Sequence, residues 1–176
     1  EHVSGQRMMT SYFRVGGLAL DPPLDFFDSV QSLVKILPEK IDEYENLLTG
    51  NPIFINRLKG VGYLSPADAI ALGVTGPPLR ASGIDWDLRR DMPYTSYEKF
   101  QFQVPISQDG DVWARYLVRL KEMRESVKIC QQALDMFRSM PVTRLVADAP
   151  KIILPDREQM KTQMESLIHH FKIVTE

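Results

Sequence analysis

The sequence predicts a mainly α-helical protein with a small β component, an α+β arrangement centred on one long helix. Three observations carry this reading. The stretch "GDVWARYLVRLKEMRESVKICQQALDMF" places Trp113, Tyr116, Leu117, Leu120, Met123, Val127, Cys130, Leu134 and Phe137 mostly three and four residues apart, the period of one helix face. A helix over residues 111–137 is roughly 40 Å long at 1.5 Å per residue. "KFQFQVPI" instead alternates Phe100, Phe102, Val104 and Ile106 with other residues, the period of a half-buried strand. Glycines and prolines crowd residues 74–100 too closely for another long helix.

The remaining elements follow in chain order. Asp21 is placed to cap a helix whose first turn takes the prolines after it, and Phe26, Phe27, Val30, Leu33, Val34 and Leu37 recur at helical spacing. Pro38 predicts a break or kink, since its ring clashes with the preceding turn. A second helix carries the stripe through Ile41, Tyr44, Leu47 and Leu48 until Gly50 and Pro52 stop it. "SPADAIALG" reads as a short helix with Ser65 as N-cap, Pro66 at the first position, Asp68 completing a capping box and Gly73 as terminator. The irregular stretch 74–100 is long for a connection in a compact domain, which makes it a candidate contact surface. In the long helix, Arg115, Arg119, Lys121, Glu122, Arg124, Glu125 and Lys128 lie mostly off the apolar stripe. Asp156 caps a last helix, with Met160, Met164, Leu167, Ile168 and Phe171 on one face.

Composition bounds the function. The 176 residues are 44% hydrophobic and 25% charged with a formal net charge of -2, so the chain is globular and carries no general field for nucleic acid or anionic lipid. One cysteine cannot form an internal disulfide or hold a structural zinc or an iron-sulfur cluster, which suits an intracellular or cytoplasm-facing chain. No apolar run approaches the roughly 18 to 20 residues needed to span a bilayer, and "EHVSGQR" lacks a signal peptide's apolar core. The chain opens at Glu1 without an initiator methionine and closes on "HHFKIVTE" as a helical pattern fades. It reads as one incomplete domain, residues 1–176, of something longer.

Chemistry-bearing residues are few. Neighbouring His169 and His170 point about 100° apart on a helix and have no third ligand at metal spacing, so a helix-end or interface role outweighs a metal site. Cys130 lies in the apolar stripe and reads as core packing, because a nucleophile would need a base and a stabilised thiolate. Phosphate-loop, nucleophile-elbow and HExxH motifs are absent. "LRASGIDWDLRR" sets Arg80, Asp85, Asp87, Arg89 and Arg90 around Trp86 in a non-helical context, which suits charge-assisted hydrogen bonds that fix a loop or a subunit contact. "GQRMMTSYFRVGG", with two methionines and two aromatics, reads locally as core.

Several segments, in order and spacing, resemble one family. "SGQRMMTSYFRVGG", "IDEYENLLTGNPIF", "GVTGPPLRASGIDWDLRR", "YEKFQFQVP", "GDVWARYLVRLKEMRESVKICQQAL" and "KTQMESLIHHFKIVTE" look like the forty-nine-kilodalton-type large subunit of the proton-translocating NADH:quinone oxidoreductase, respiratory complex I. The resemblance covers essentially the whole chain. It implies a segment of a subunit roughly twice this length, with a fold related to nickel-iron hydrogenase large subunits but without their metal centre.

The implied role is in the peripheral arm. This subunit helps to form the quinone cavity and the surroundings of the terminal iron-sulfur cluster, which a neighbouring small subunit holds, while NADH is oxidised on a distant subunit. The other implied neighbour is the thirty-kilodalton-type subunit, with the membrane reached only through partner subunits. The location implied is the cytoplasmic face of a bacterial cell membrane, or the matrix or stromal side in an organelle. By the same resemblance the quinone-contacting residues lie outside the segment, no catalytic residue lies within it, and Arg7 and Met9 lie near the cluster.

Many members read "RMHAAYFRPGG", with a histidine where this chain has Met9. Methionine neither binds a proton nor brings a charge, which implies a lower, nearly pH-independent cluster potential and a low-potential acceptor such as menaquinone. Two other readings stay open at this point. One is the large subunit of a membrane-bound hydrogenase or other-donor complex, marked by Cys-x-x-C pairs in the flanks. The other is a helical scaffold with no redox role, marked by a stable monomer without exposed apolar faces.

Overall fold

The computed structural model describes residues 1–140 and 145–175, which fall into two compact units: Asp28–Ser139, and the two ends of the chain, Glu1–Phe27 with Met140–Glu176. The content is helical with one two-stranded sheet, as the residue pattern predicts. Among the described residues no helix is long and apolar enough to cross a membrane.

Helix α1 (Phe26–Leu48) starts later than the Asp21 cap predicted and continues through Pro38 rather than breaking there. Interior proline costs about 3 kcal/mol. A break would separate Val34 and Ile41, one turn to either side and both buried, so their burial offsets that cost. Pro52, read in the sequence as a stop, also starts α2 (Pro52–Leu58): the Asn51 side-chain oxygen accepts from the N–H groups of Ile53 (2.9 Å) and Phe54 (3.4 Å), and proline at the first position loses no intrahelical bond. Helix α3 (Pro66–Ala71) has the predicted N-cap, with the Ser65 hydroxyl accepting from Asp68 N–H (3.1 Å), but the Asp68 carboxylate accepts from that hydroxyl (2.6 Å) rather than from the Ser65 N–H that a capping box requires.

The irregular stretch is more ordered than its composition suggested. Gly76 adopts φ 69° and Pro77 and Pro78 open α4 (Pro77–Ala81), so the breaker residues serve as a helix start. Helix α5 (Leu88–Asp91) and a 3-10 turn (Tyr97–Lys99) follow. Leu79, Arg80, Ala81 and Ser82 are among the most buried residues of the chain. This stretch therefore supplies core as well as surface.

In "KFQFQVPI" Lys99 ends the 3-10 turn, and the chain runs on from an extended Phe100 without forming a strand. Beyond Phe100, side chains of α6 (Val112–Ser139) meet its backbone: Gln101 N–H donates to Gln132 Oε1 and Gln132 Nε2 returns a bond to Gln101 C=O (both 2.8 Å), and Gln103 N–H donates to Glu125 Oε2 (2.9 Å). Alternation reports burial on one side, which a helix covers as well as a sheet does.

Helix α6 is the predicted spine. Asp111, directly before it, accepts from Ala114 N–H and Gly60 N–H (2.7 Å each), so one buried carboxylate caps the helix and anchors the loop after α2. Gly110, at φ +64°, completes the joint, since a Cβ there would lie 2.6 Å from Leu64 C=O. Helix α4 packs against α6 through Ala81, Ala114 and Val118. Helix α1 runs antiparallel to α6, tied by Gln31 to Gln131 (2.9 Å), Arg124 to Asp42 (2.8 Å) and Glu45, and Thr49 to Tyr116 (3.0 Å). Cys130, expected in the core, is exposed, although Leu120 and Leu134 of the same stripe are buried, and Ala114, Val118 and Glu125 are buried off it.

The β component lies in the other unit. Strands β1 (Phe13–Arg14) and β2 (Gly17–Leu18) pair antiparallel. Gly17 also bridges Val146, with Leu18 N–H donating to Leu145 C=O (3.3 Å) and Ala147 N–H to Gly16 C=O (2.7 Å). A Cβ on Gly17 would fall 2.1 Å from Leu145 C=O, so only glycine permits this approach. The single last helix that was predicted is two, α7 (Arg157–Thr162) and α8 (Met164–Thr175), with Asp156 capping the first. Gln163 leaves the helical region (φ -124°, ψ 122°) and its carbonyl accepts from Leu167 N–H to begin α8. The apolar spacing runs across this break, which concealed it.

Ala114→Leu forces four-carbon bulk into the α4–α6 contact and lowers stability by about 1–3 kcal/mol, measurable as a shifted denaturation midpoint followed by tryptophan fluorescence. Cys130 reacts stoichiometrically with a thiol reagent under native conditions; a thiol that labels only in denaturant would contradict its exposure.

Candidate functional site

The charged motif folds into a specific arrangement in the larger unit. Arg80 is only 6% exposed. Its Nε and Nη2 both donate to Glu122 Oε1 (2.8 and 2.5 Å), and its Nη1 donates to the Trp86 carbonyl (3.1 Å) and lies 3.5 Å from Asp87 Oδ2. Asp87 is equally withdrawn from water. It accepts from Arg89 Nε (3.0 Å) and Nη2 (2.7 Å), and as N-cap of α5 it accepts from Arg89 N–H (3.0 Å). The Arg89 guanidinium lies over the ring of Phe102, 4.9 Å from its centroid. Two guanidinium groups thus face two carboxylates, and Arg80 ties α4, the α4–α5 loop and α6 together.

Of the five residues expected to form one network, the structure brings Arg80, Asp87 and Arg89 together. Asp85 pairs instead with Arg90 (2.8 Å) at the surface. Trp86 contributes its carbonyl, and its side chain lines a shallow cleft of about 240 Å³ with Thr75, Gly76, Leu88 and Tyr94. Glu122 and Glu125 were placed off the apolar stripe by their periodicity, yet Glu122 holds Arg80 and Glu125 is buried. The usable signal was the row Ala114, Val118, Glu122, spaced by four, which continues a line of small residues straight into a carboxylate.

These environments fix the charge states. Burial pushes the Asp87 carboxyl up, but the side-chain and backbone hydrogen bonds from Arg89 and the charges of Arg89 and Arg80 outweigh it and hold it below the ordinary carboxylate value. Burial likewise raises Glu125, while the Gln103 N–H and Lys128 lower it further. The network holds no nucleophile and no base poised near neutrality. Chemically it is a clamp.

The opening stretch differs from the local reading of it as core. Met8 and Met9 are 84% and 95% exposed, Met9 adopts φ 49°, and Arg7 makes one exposed pair with Glu1 (3.0 Å). Met8 and Met9 therefore present bare apolar surface beside an exposed ion pair. In α8 the His170 ring packs edge-on against Phe171, while His169 Nε2 is buried without a partner. Among the described residues no three His, Cys, Asp or Glu side chains converge as metal ligands.

Removing one member of the buried pair strands the other: Glu122→Ala costs about 3–5 kcal/mol, and Arg80→Lys fails to restore stability because an ammonium lacks the guanidinium fork. For Asp87 and Glu125 the folded values lie below the unfolded ones, so their contribution is complete above the ordinary carboxylate range. It is lost as pH falls through about 4 and below. Asp87→Asn flattens part of that acid limb in denaturation curves taken from pH 7 to 3.

The family described as respiratory-chain NADH dehydrogenase, 49 kDa subunit, matches residues 1–176. The chain is 63% identical over 176 residues to the D 2 subunit of the NADH-quinone oxidoreductase of Koribacter versatilis, covering all of this chain and 43% of that protein. It is 58% identical to the D 1 subunit from Solibacter usitatus (42% of that protein) and 52% identical to the D-type subunit from Geobacter metallireducens (44%), again over the whole chain. It spans less than half the length of these curated relatives. By the match along its entire length, this chain belongs to the family of the 49 kDa subunit of respiratory-chain NADH dehydrogenase.

Proposed function

We propose that this chain is part of a peripheral-arm subunit of a proton-translocating NADH:quinone oxidoreductase, where it helps to wall the quinone cavity and surrounds a terminal iron-sulfur cluster held by a neighbouring small subunit. The observation that carries this reading is the match over every residue of the chain to proteins named as the D-type subunit of an NADH-quinone oxidoreductase, at up to 63% identity. The 176 residues then constitute one incomplete domain of the longer subunit. Its partners are the cluster-bearing subunit and the thirty-kilodalton-type subunit, which hold it at the cytoplasmic face of the membrane.

The division of the chain suits this role. The clamp of Arg80, Glu122, Asp87 and Arg89 fixes the α4–α6 region and leaves Leu88 and Tyr94 exposed beside the cleft, a surface for a partner subunit. Arg7 and Met9 stand open to a neighbour. Beside a cluster, Arg7 supplies fixed positive charge and Met9 supplies none, so no proton uptake at that position accompanies reduction. A low-potential quinone, menaquinone, fits such a cluster.

Two measurements test this. An affinity tag on the full-length subunit recovers the cluster-bearing subunit together with NADH:quinone activity; recovery of the tagged subunit alone removes the reading. In the assembled complex the potential of the terminal cluster stays flat between pH 6 and 8, and Met9→His introduces a slope approaching about 59 mV per pH unit, the one-electron, one-proton value. A slope of that size in the unsubstituted complex would eliminate the role assigned to Met9.

A further inference from the structure

In the larger unit Trp86, Leu88, Arg89 and Tyr94 wall a cleft of about 240 Å³. That is below the roughly 300–1,000 Å³ of most small-molecule sites, and it suits a side chain with its backbone better than a cofactor. Arg80 and Asp87 also line it, with side chains only 8% and 5% exposed, and both find their partners within the chain. The cleft is therefore pre-organised. Trp, Tyr and Arg are also the residues that recur where proteins meet.

What the cleft offers is donors. Arg89 binds Asp87 through Nε and Nη2. Its Nη1 and the Trp86 indole N–H make no hydrogen bond with the described residues and are not closed off from solvent. Both oxygens of Asp87 are already taken by arginine. Unused donors call for an acceptor, and charge decides its kind. Arg80, Arg89 and Arg90 stand among Asp85, Asp87, Asp91 and Glu122, so no positive surplus is present to hold an anion. A neutral carbonyl is the complementary group.

The backbone beside the cleft is strained. Thr95 (φ 47°) and Ser96 (φ 66°) both occupy the left-handed region, which is unfavourable for a β-branched threonine. Thr95 is exposed, so burial of its side chain does not explain the conformation. The turn sets Tyr94 edge-on to Tyr97, ring centroids 5.1 Å apart, and the Arg89 guanidinium lies 5.9 Å from the Tyr97 centroid. Tyr94, 52% exposed, is thereby held at the cleft. Strain maintained to present an exposed aromatic points to a functional surface.

We infer that this cleft is the socket for an extended segment of a neighbouring subunit, which seats an uncharged aliphatic or proline side chain against Trp86 and Tyr94 and turns its backbone carbonyls to Trp86 Nε1 and Arg89 Nη1. This rests on the chain being part of a subunit of the assembled complex, as proposed for its function.

The test uses the assembled complex carrying the full-length subunit, with the photo-cross-linking residue p-benzoylphenylalanine in place of Thr75 or, separately, of Leu88. After irradiation, mass spectrometry identifies the attached peptide. The expected product joins this subunit to a neighbouring one, at a stretch without acidic side chains. An adduct within the same subunit, an adduct at an acidic stretch, or none from either position overturns the inference while leaving the functional reading intact. If the tagged subunit enters no such complex, it is the functional reading that falls. With the cross-linker at Thr75, Trp86→Phe keeps the apolar wall but removes one donor, and the yield falls about two- to tenfold, the worth of one hydrogen bond; an unchanged yield refutes recognition through donors. Thr95→Gly relieves the turn, raising the thermal midpoint and lowering the yield, whereas a gain in stability at full yield removes the strained turn from the proposal.

Discussion

The larger unit depends on a guanidinium out of water. Burying Arg80 is unfavourable by several kcal/mol unless its nitrogens are matched, and the matching partners are scattered: Glu122 on α6, the Trp86 carbonyl in the loop, and Asp87 at the start of α5. Satisfying one side chain therefore fixes the position of three chain segments. The close approach of Ala81 to Ala114 and Val118 provides the setting, since only small side chains there let the stem of Arg80 reach Glu122. Apolar packing brings the segments together without direction, and the ion network selects one arrangement among those that packing alone would tolerate.

Much of this was legible in the residues, and the failures have physical causes. Local signals carried well: Ser65 and Asp156 cap their helices, and the long helix spans its predicted range within two residues. Prolines misled wherever two outcomes share one residue, because Pro38 can be tolerated in a helix that buries its flanks, and Pro52 and Pro77 begin helices as readily as they end them. Alternation in "KFQFQVPI" reported a covered face and could not say that a helix covers it. Arg80 and Asp87 were visible as a cluster, whereas Glu122 lies 42 residues from Arg80 and only the three-dimensional fold brings them together. The family was readable from long, unusual segments, which do not depend on any of these ambiguities.

Helices with more than one neighbour explain the remaining misplacements. On α6, Tyr116, Arg124 and Gln131 bond to α1, while Glu122, Glu125 and Gln132 serve α4 and the extended segment. A single apolar stripe with a solvated reverse is a description of a surface helix, so a helix covered on two sides places ionic residues in the interior and leaves Cys130 outside. Helix α1 shows the complementary case. Val34 and Ile41 are buried, but Leu33, Ile36, Tyr44 and Leu47, beside them at helical spacing, are exposed, an apolar arc wider than the neighbours in this chain cover.

The two units are held together by different means. In the larger unit two carboxylates are held below the ordinary value by the groups they meet, Asp87 by Arg89 and Arg80, and Glu125 by the Gln103 N–H and Lys128. Charge-assisted bonds of this kind fix both the position and the orientation of the groups they join. In the other unit the surface before the hairpin is open, strained at Met9 and secured by few bonds, while the hairpin behind it is pinned by Gly17 against Leu145 and Val146. A partner that covered Met8 and Met9 would remove apolar surface from water. Buried ion pairs and small-residue packing thus order the larger unit, while backbone pairing at a glycine orders the hairpin of the other.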